Sequence, residues 1–189
     1  MKHKIIIPLL AASAAFVTGC GTNAHYVATG GTQNVVNIGQ INIQDYIQAA
    51  NSATSDLLAS GVLDKVATPP AVLFISRIIN NTVQQIDTDL LTKKISIALL
   101  NSGKAVTTST DPAAKGYQQE HEFMGDKQAQ KLPDFTLSGK IIQLTAKAGS
   151  TSQSTYSFQL SLNDTKNGYQ VWEGEKEITK QGTRSGVGF

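Results

Sequence analysis

The chain holds one cysteine, three histidines and five prolines among 189 residues, and only 16 % of it is charged. Each shortage excludes something. A single thiol, Cys20, cannot close an intramolecular disulfide, so in an exported chain it calls for another use. The charges that exist also balance. With Lys2 and Lys4 set aside as part of an expected leader, Lys plus Arg equals Asp plus Glu. A near-neutral chain lacks the basic stripe that neutralises phosphates, which argues against a nucleic-acid partner and against membrane binding by charge. Of the histidines, His3 falls in the leader and His25 in a polar stretch, leaving His121 to the domain. One histidine cannot build a zinc site without several carboxylates. Glu120, His121 and Glu122 are adjacent, so a regular helix cannot turn all three to one ion.

What is present begins at the amino terminus. Met1-Lys2-His3-Lys4 is a positive segment, and Ile5 to Val17 is an apolar run broken only by Pro8 and Ser13. The run is too short to span a bilayer as a helix and ends in small residues, as a signal peptide does. Val17-Thr18-Gly19-Cys20 resembles the lipobox of bacterial lipoproteins. That resemblance implies cleavage between Gly19 and Cys20, with lipid on the Cys20 thiol and on the new amine. Three acyl chains, at about 0.8 kcal/mol per buried methylene, make a stable anchor. The residue after Cys20 is Gly21; an Asp there retains enterobacterial lipoproteins in the inner membrane, so its absence favours the outer membrane. Besides this covalent lipid, no cofactor is expected.

Residues 20–42 read as a lipidated cysteine and a polar tether, rich in Gly, Asn, Thr and Gln. About 22 residues of flexible coil have an end-to-end distance of roughly 25–30 Å and extend to roughly 70–80 Å. Val35, Val36 and Ile38 suit a short strand that docks the end of the tether. Residues 43–189 then read as one domain with a glycine-rich tail. Asn42 or Gln44 caps a helix running to about Ser60, with Tyr46, Ile47, Ala50, Ala53, Leu57 and Leu58 as its apolar stripe and Gly61 as its stop. The Ala71–Ile79 run is nearly all apolar and predicts a strand covered on both faces. Asn80-Asn81-Thr82 reads as a loop. Asp87 caps a second helix through Leu90, Leu91, Ile95, Ala98 and Leu99, ending near Ser102-Gly103. Lys104–Ser109 is a short strand, and Asp111-Pro112 opens a polar third helix reaching about Gln130.

The last third changes period. Phe135, Leu137, Gly139 and Ile141 alternate, and the phase change at Ile142 and Leu144 predicts a β-bulge. Tyr156, Phe158, Leu160 and Leu162 alternate with polar residues, Lys166-Asn167-Gly168 is a hairpin turn, and Val171–Thr179 returns with Trp172 opposite the apolar rows. The fold expected is α/β: a mixed sheet with a carboxy-terminal antiparallel meander, flanked by about three helices on one or both faces.

Chemistry is harder to find. No Gly-x-Ser-x-Gly elbow singles out a serine nucleophile. Glu173, Glu175 and Glu177 share one strand face, which suits a solvated, aggregation-resistant edge better than paired catalytic carboxylates. The Gly182–Gly188 tail lacks the Lys-Ser/Thr and the following helix of a phosphate loop. The sequence is read as that of a non-enzyme.

Several segments together carry a family resemblance. They are Ala71-Val-Leu-Phe-Ile-Ser-Arg-Ile-Ile-Asn-Asn-Thr82, Asp87-Thr-Asp-Leu-Leu91, Leu99-Leu-Asn-Ser-Gly-Lys104, and the hairpin made by Tyr156-Ser-Phe-Gln-Leu-Ser-Leu-Asn-Asp164 and Gly168-Tyr-Gln-Val-Trp-Glu-Gly-Glu175. Set behind a lipobox and a tether, this order resembles the LpoB family of outer-membrane lipoprotein activators, over about Ile43 to Gly182. The resemblance implies a monomeric, non-catalytic regulator on the periplasmic face of the outer membrane. Its partner would be a bifunctional penicillin-binding protein, whose peptidoglycan synthesis it activates. Enteric members carry a long proline-rich tether; here the tether is short and free of proline. The pattern is also similar to CsgG- and TolB-like domains, which implies an assembly lipoprotein as the alternative. A membrane-crossing hairpin within Phe135–Gln181 would put Lys140, Lys147, Lys176 and the glutamate row against lipid. Side chains that core packing does not require are the candidate partner contacts: Asn80, Asn81, Gln85, Tyr117, Tyr169 and Arg184.

Overall fold

The computed structural model describes residues 40–108 and 132–183, together with 24, 26–28 and 31. Helix α1 spans Ile43–Ala59. It starts at Asn42, whose backbone N–H donates to the Asp45 side chain at 2.8 Å in a capping box. It stops where Gly61 takes a positive φ of 69°, a conformation that costs a side-chain-bearing residue energy. Three small residues on its inner face, Ala49, Ala50 and Ala53, are buried and let the helix approach the sheet closely. A short 3₁₀ turn, Val62–Lys65, follows and buries Val62 and Leu63.

Strand β1 runs Ala71–Asn81, helix α2 Thr88–Asn101 and strand β2 Ala105–Thr107. The Asp87 carboxylate accepts from the Asp89 and Leu90 amides at 3.0 and 3.1 Å, so α2 begins where its N-cap predicts. Strands β3 (Phe135–Ala148), β4 (Thr151–Asp164) and β5 (Gln170–Thr183) form the meander. The five-stranded sheet has the order β2-β1-β3-β4-β5. β1 is parallel to β2 and β3, and the last three strands are antiparallel. This is the mixed sheet with a carboxy-terminal meander that the alternation predicts. Two α-helices lie among the described residues; the expected third, Asp111 to about Gln130, lies outside them.

α1 packs over β4 and β5, and α2 over β1 and β2, on the same side. Between helices and sheet sit Leu57, Leu73, Leu91, Ile95, Leu99, Leu137, Ile141, Tyr156, Leu160 and Leu162, each almost fully buried. At about 1.5–3 kcal/mol per large apolar side chain, this layer is the main source of stability.

Three expectations need correction. Among the described residues, β1 is covered on one face only: Leu73 is fully buried, whereas Phe74 and Ile79 are 42 % and 59 % exposed. The apolar run looks continuous because both faces of β1 carry apolar side chains, although only one meets the helices. The bulge is real but sits in the neighbouring strand. β1 sets Ser76 and Arg77 against the single residue Ser138 of β3, while β3 pairs with β4 without a break from Phe135 to Ala148. Ile142 and Leu144 simply face the open side, and Leu144 is 62 % exposed. Finally, β1 continues through Asn80 and Asn81 before the chain turns.

Candidate functional site

Among the described residues no group of three or more His, Cys, Asp or Glu could hold a metal ion. Glu173, Glu175 and Glu177 line the exposed face of the edge strand β5. Glu175 takes hydrogen bonds from the Ser157 hydroxyl and from Gln159 Nε2, the latter at 2.8 Å. The Ser157 bond first, then the Gln159 bond, hold its carboxyl below the usual carboxylate range, with Lys140 adding in the same direction. A carboxylate held ionised is a poor general acid at neutral pH.

The most constructed polar feature lies elsewhere, where the chain enters the domain. Ile41, at the end of the polar stretch, is 3 % exposed and belongs to the core. Its backbone N–H donates to Gln84 Oε1 at 2.9 Å, and its carbonyl accepts from Gln84 Nε2 at 3.0 Å. One side-chain amide thus supplies both bonds that a neighbouring strand would make. Lys180 Nζ donates to the Gln40 carbonyl at 3.1 Å and forms an ion pair with Asp45. The Lys180 side chain is only 9 % exposed. A second pair, Lys176 with Asp56 at 2.5 Å, ties the other end of α1 to β5. The spacings agree: eleven residues of helix rise roughly 16 Å, and four of strand roughly 13 Å. Tyr156 is buried beneath this corner. Burial pushes its hydroxyl above the ordinary tyrosine value, a hydrogen bond with the Ile41 backbone opposes that, and the Asp45 charge adds to it. The Tyr46 hydroxyl, also in the core, is raised by burial and then by the charge of Asp87.

Gln84 is itself held. Asn80 Nδ2 donates to the Gln84 carbonyl at 2.8 Å, and Asn80 Oδ1 accepts from the Thr82 amide at 3.1 Å. Thr82 Oγ1 accepts from the Gln84 amide at 3.2 Å. The Ile79-Asn-Asn-Thr82 segment therefore closes the loop on itself and aims Gln84 at Ile41.

The predicted partner contacts do not converge on one spot. Asn80 is half-buried and committed to the loop; Asn81 and Gln85 are exposed nearby. Tyr169, 72 % exposed, stands on the β4–β5 turn. The pairing of Phe135 with Asp164, and of Asn81 with Ile142, places that turn at the opposite end of the sheet, roughly 23 Å away along β3. Tyr117 and Arg184 lie outside the described residues, as do Gly19 and Cys20. Sequence reading missed Gln84 and Lys180. Lys180 had one signal: its parity is that of Trp172, Gly174, Lys176 and Ile178, the β5 residues facing α1.

With this geometry in view, the comparisons with known proteins are decisive on one point. The family model for the peptidoglycan-synthase activator LpoB matches residues 45–178. The chain belongs to the LpoB family. Both the Asn80–Gln84 loop and the Trp172 hairpin fall inside the matched span. Similar solved structures include those of LpoB proteins. The LpoB C-terminal domain from Salmonella enterica is 18 % identical with a TM-score of 0.46, and the match covers 71 % of this chain and 98 % of that one. The LpoB C-terminal domain from Escherichia coli is 16 % identical with a TM-score of 0.44, over the same shares of 71 % and 98 %. The NMR structure of E. coli LpoB, at 15 % identity and a TM-score of 0.43, is matched over 96 % of this chain and 88 % of that one. No curated protein matches the sequence significantly. The LpoB family is one of activators rather than catalysts.

Proposed function

We propose that this chain is a lipoprotein held on the periplasmic face of the outer membrane by lipid on Cys20. Its domain binds a bifunctional penicillin-binding protein as a monomer and activates it. The observation that carries this reading is the LpoB family match over residues 45–178. The protein itself does no chemistry. An activator acts by binding the active conformation of its target better than the inactive one. Anchoring both partners in one envelope raises their effective concentration, provided the tether reaches. From Cys20 to the buried Ile41 the tether extends to at most roughly 70 Å.

Asn81 and Gln85 at one end of the sheet and Tyr169 at the other are two separate candidate contact patches. Asn80 supports the first by shaping its loop. Tyr117 and Arg184 complete the candidate set. An ordinary interface of about 800 Å² per partner is roughly 30 Å across, so a synthase domain has room to engage either patch or both.

The test uses the lipid-free chain from Gly21 to Phe189 as bait in host envelope extracts, followed by a glycan polymerisation assay with the recovered synthase. A bifunctional penicillin-binding protein as the dominant partner, polymerising faster with the bait present, is the expected result. Recovery of only the bait itself or a secretion complex rejects the reading. Alanine at Tyr169, compared with alanine at Asn81 and Gln85 together, then shows which end docks.

A further inference from the structure

Four consecutive backbone groups at the entry to the domain are each gripped by a side chain. The Gln40 carbonyl is taken by Lys180 of β5, and the Ile41 N–H and carbonyl by Gln84 of the β1–α2 loop. The Asn42 N–H is taken by Asp45 of α1. Capping a helix requires only the last of these, and Ile41 and Tyr46, both buried in the one core, stand at the two positions of a hydrophobic staple. Gln84 and Lys180 are surplus to that need. They come from 43 and 140 residues away, and both hold the backbone, Lys180 while also pairing with the Asp45 carboxylate. Gln84 is in turn locked by Asn80 and Thr82.

We propose that this corner is a strain-relief clamp, the point where pull on the membrane tether passes into the sheet instead of into α1. Lys180 carries the pull to β5, and Gln84 carries it through its closed loop to β1. The clamp also sets the direction in which the tether leaves, beside the β5 edge, and so the way the rest of the domain is presented. The inference rests on the reading of residues 20–40 as a membrane tether.

The single cysteine makes the test direct. The full chain, made in the cytosol so that Cys20 keeps its thiol, is pulled between a handle on that thiol and one at Phe189. The wild type should resist until the sheet gives way. Gln84→Ala and, independently, Lys180→Met should each add an early, lower-force step that releases residues 41–59, roughly 60 Å of chain. Hydrogen exchange on the same proteins should show the Ile41 amide exchanging about tenfold faster in Gln84→Ala while residues 47–59 stay protected. A wild type that already shows the early step, at the force seen in the variants, overturns the clamp. So does a Gln84→Ala variant that loses protection throughout α1 while Lys180→Met shows no early step, since Gln84 would then be only a fold residue. Lipid on Cys20 is read separately, from the mass of the mature protein in host membranes. A clamp that holds in a chain found unlipidated there sinks the tether reading and leaves the grip standing.

Discussion

At the scale of single residues, two close approaches show how tightly the sheet is made. A Cβ at Gly174 would stand 2.4 Å from Trp172 Cη2 and 2.6 Å from Cζ2, because the indole lies flat across that glycine. Gly139 is equally enclosed, with Leu160 Cδ2 at 2.8 Å and the Gln159 carbonyl at 2.9 Å. Gly174→Ala should therefore displace the indole and destabilise the fold by about 1–3 kcal/mol, read from urea unfolding together with a red shift of the single tryptophan's emission. The glycine in the hairpin motif has a steric reason that only the folded contact reveals. Glu175 offers a second prediction. Its folded-state pKa is depressed by the Ser157 and Gln159 bonds from an ordinary value of 4.5. Its contribution to stability is present above the unfolded value and is lost as the pH falls below 4.5 through the folded value. Glu175→Gln should remove that contribution, lowering stability at neutral pH and flattening the acid limb of the stability–pH curve in that window.

At the scale of elements, the contrast between the two faces of the sheet is the point most easily misread. An apolar run in β1 and a phase change in β3 both arise because the open face carries apolar residues of its own. The prediction is one of unequal cost. Leu160→Ala, which empties a site 1 % exposed between sheet and helices, should destabilise by about 2–5 kcal/mol. Leu144→Ser, on the open face, should change stability by less than about 0.5 kcal/mol. Equal effects in chemical denaturation would mean that something covers the open face as fully as α1 covers the other. The elements themselves were legible. Asn42 and Asp87 mark the two helix starts, Gly61 ends the first helix, and the alternation from Tyr156 to Leu162 marks β4, because each of these signals is local.

At the scale of the whole molecule, the proposed function makes activity a matter of reach. Cys20→Ala should leave the domain folded and able to bind a synthase in solution, yet abolish activation in the cell by releasing the protein from the membrane. Overexpressing the released form should restore part of the function, since bulk concentration substitutes for effective concentration. Envelope fractionation and growth of a strain dependent on this activator are the measurements. If the released form works at normal expression, anchoring contributes neither concentration nor orientation, and activation does not depend on reach.

By itself the sequence determined what short-range physics determines, the order of the described helices and strands with their caps and turns, and that order carried the resemblance to the family. Tertiary structure alone decided which face of the sheet the helices cover, which strand bulges, and that Asn80 turns inward to serve Gln84. It also decided that Lys180 meets the backbone of Gln40 and the carboxylate of Asp45. The reason is the range of the forces. Periodicity and capping act over a few residues and leave a mark in the sequence. A glutamine that grips a backbone 43 residues away looks like any polar loop residue until the two segments are brought together.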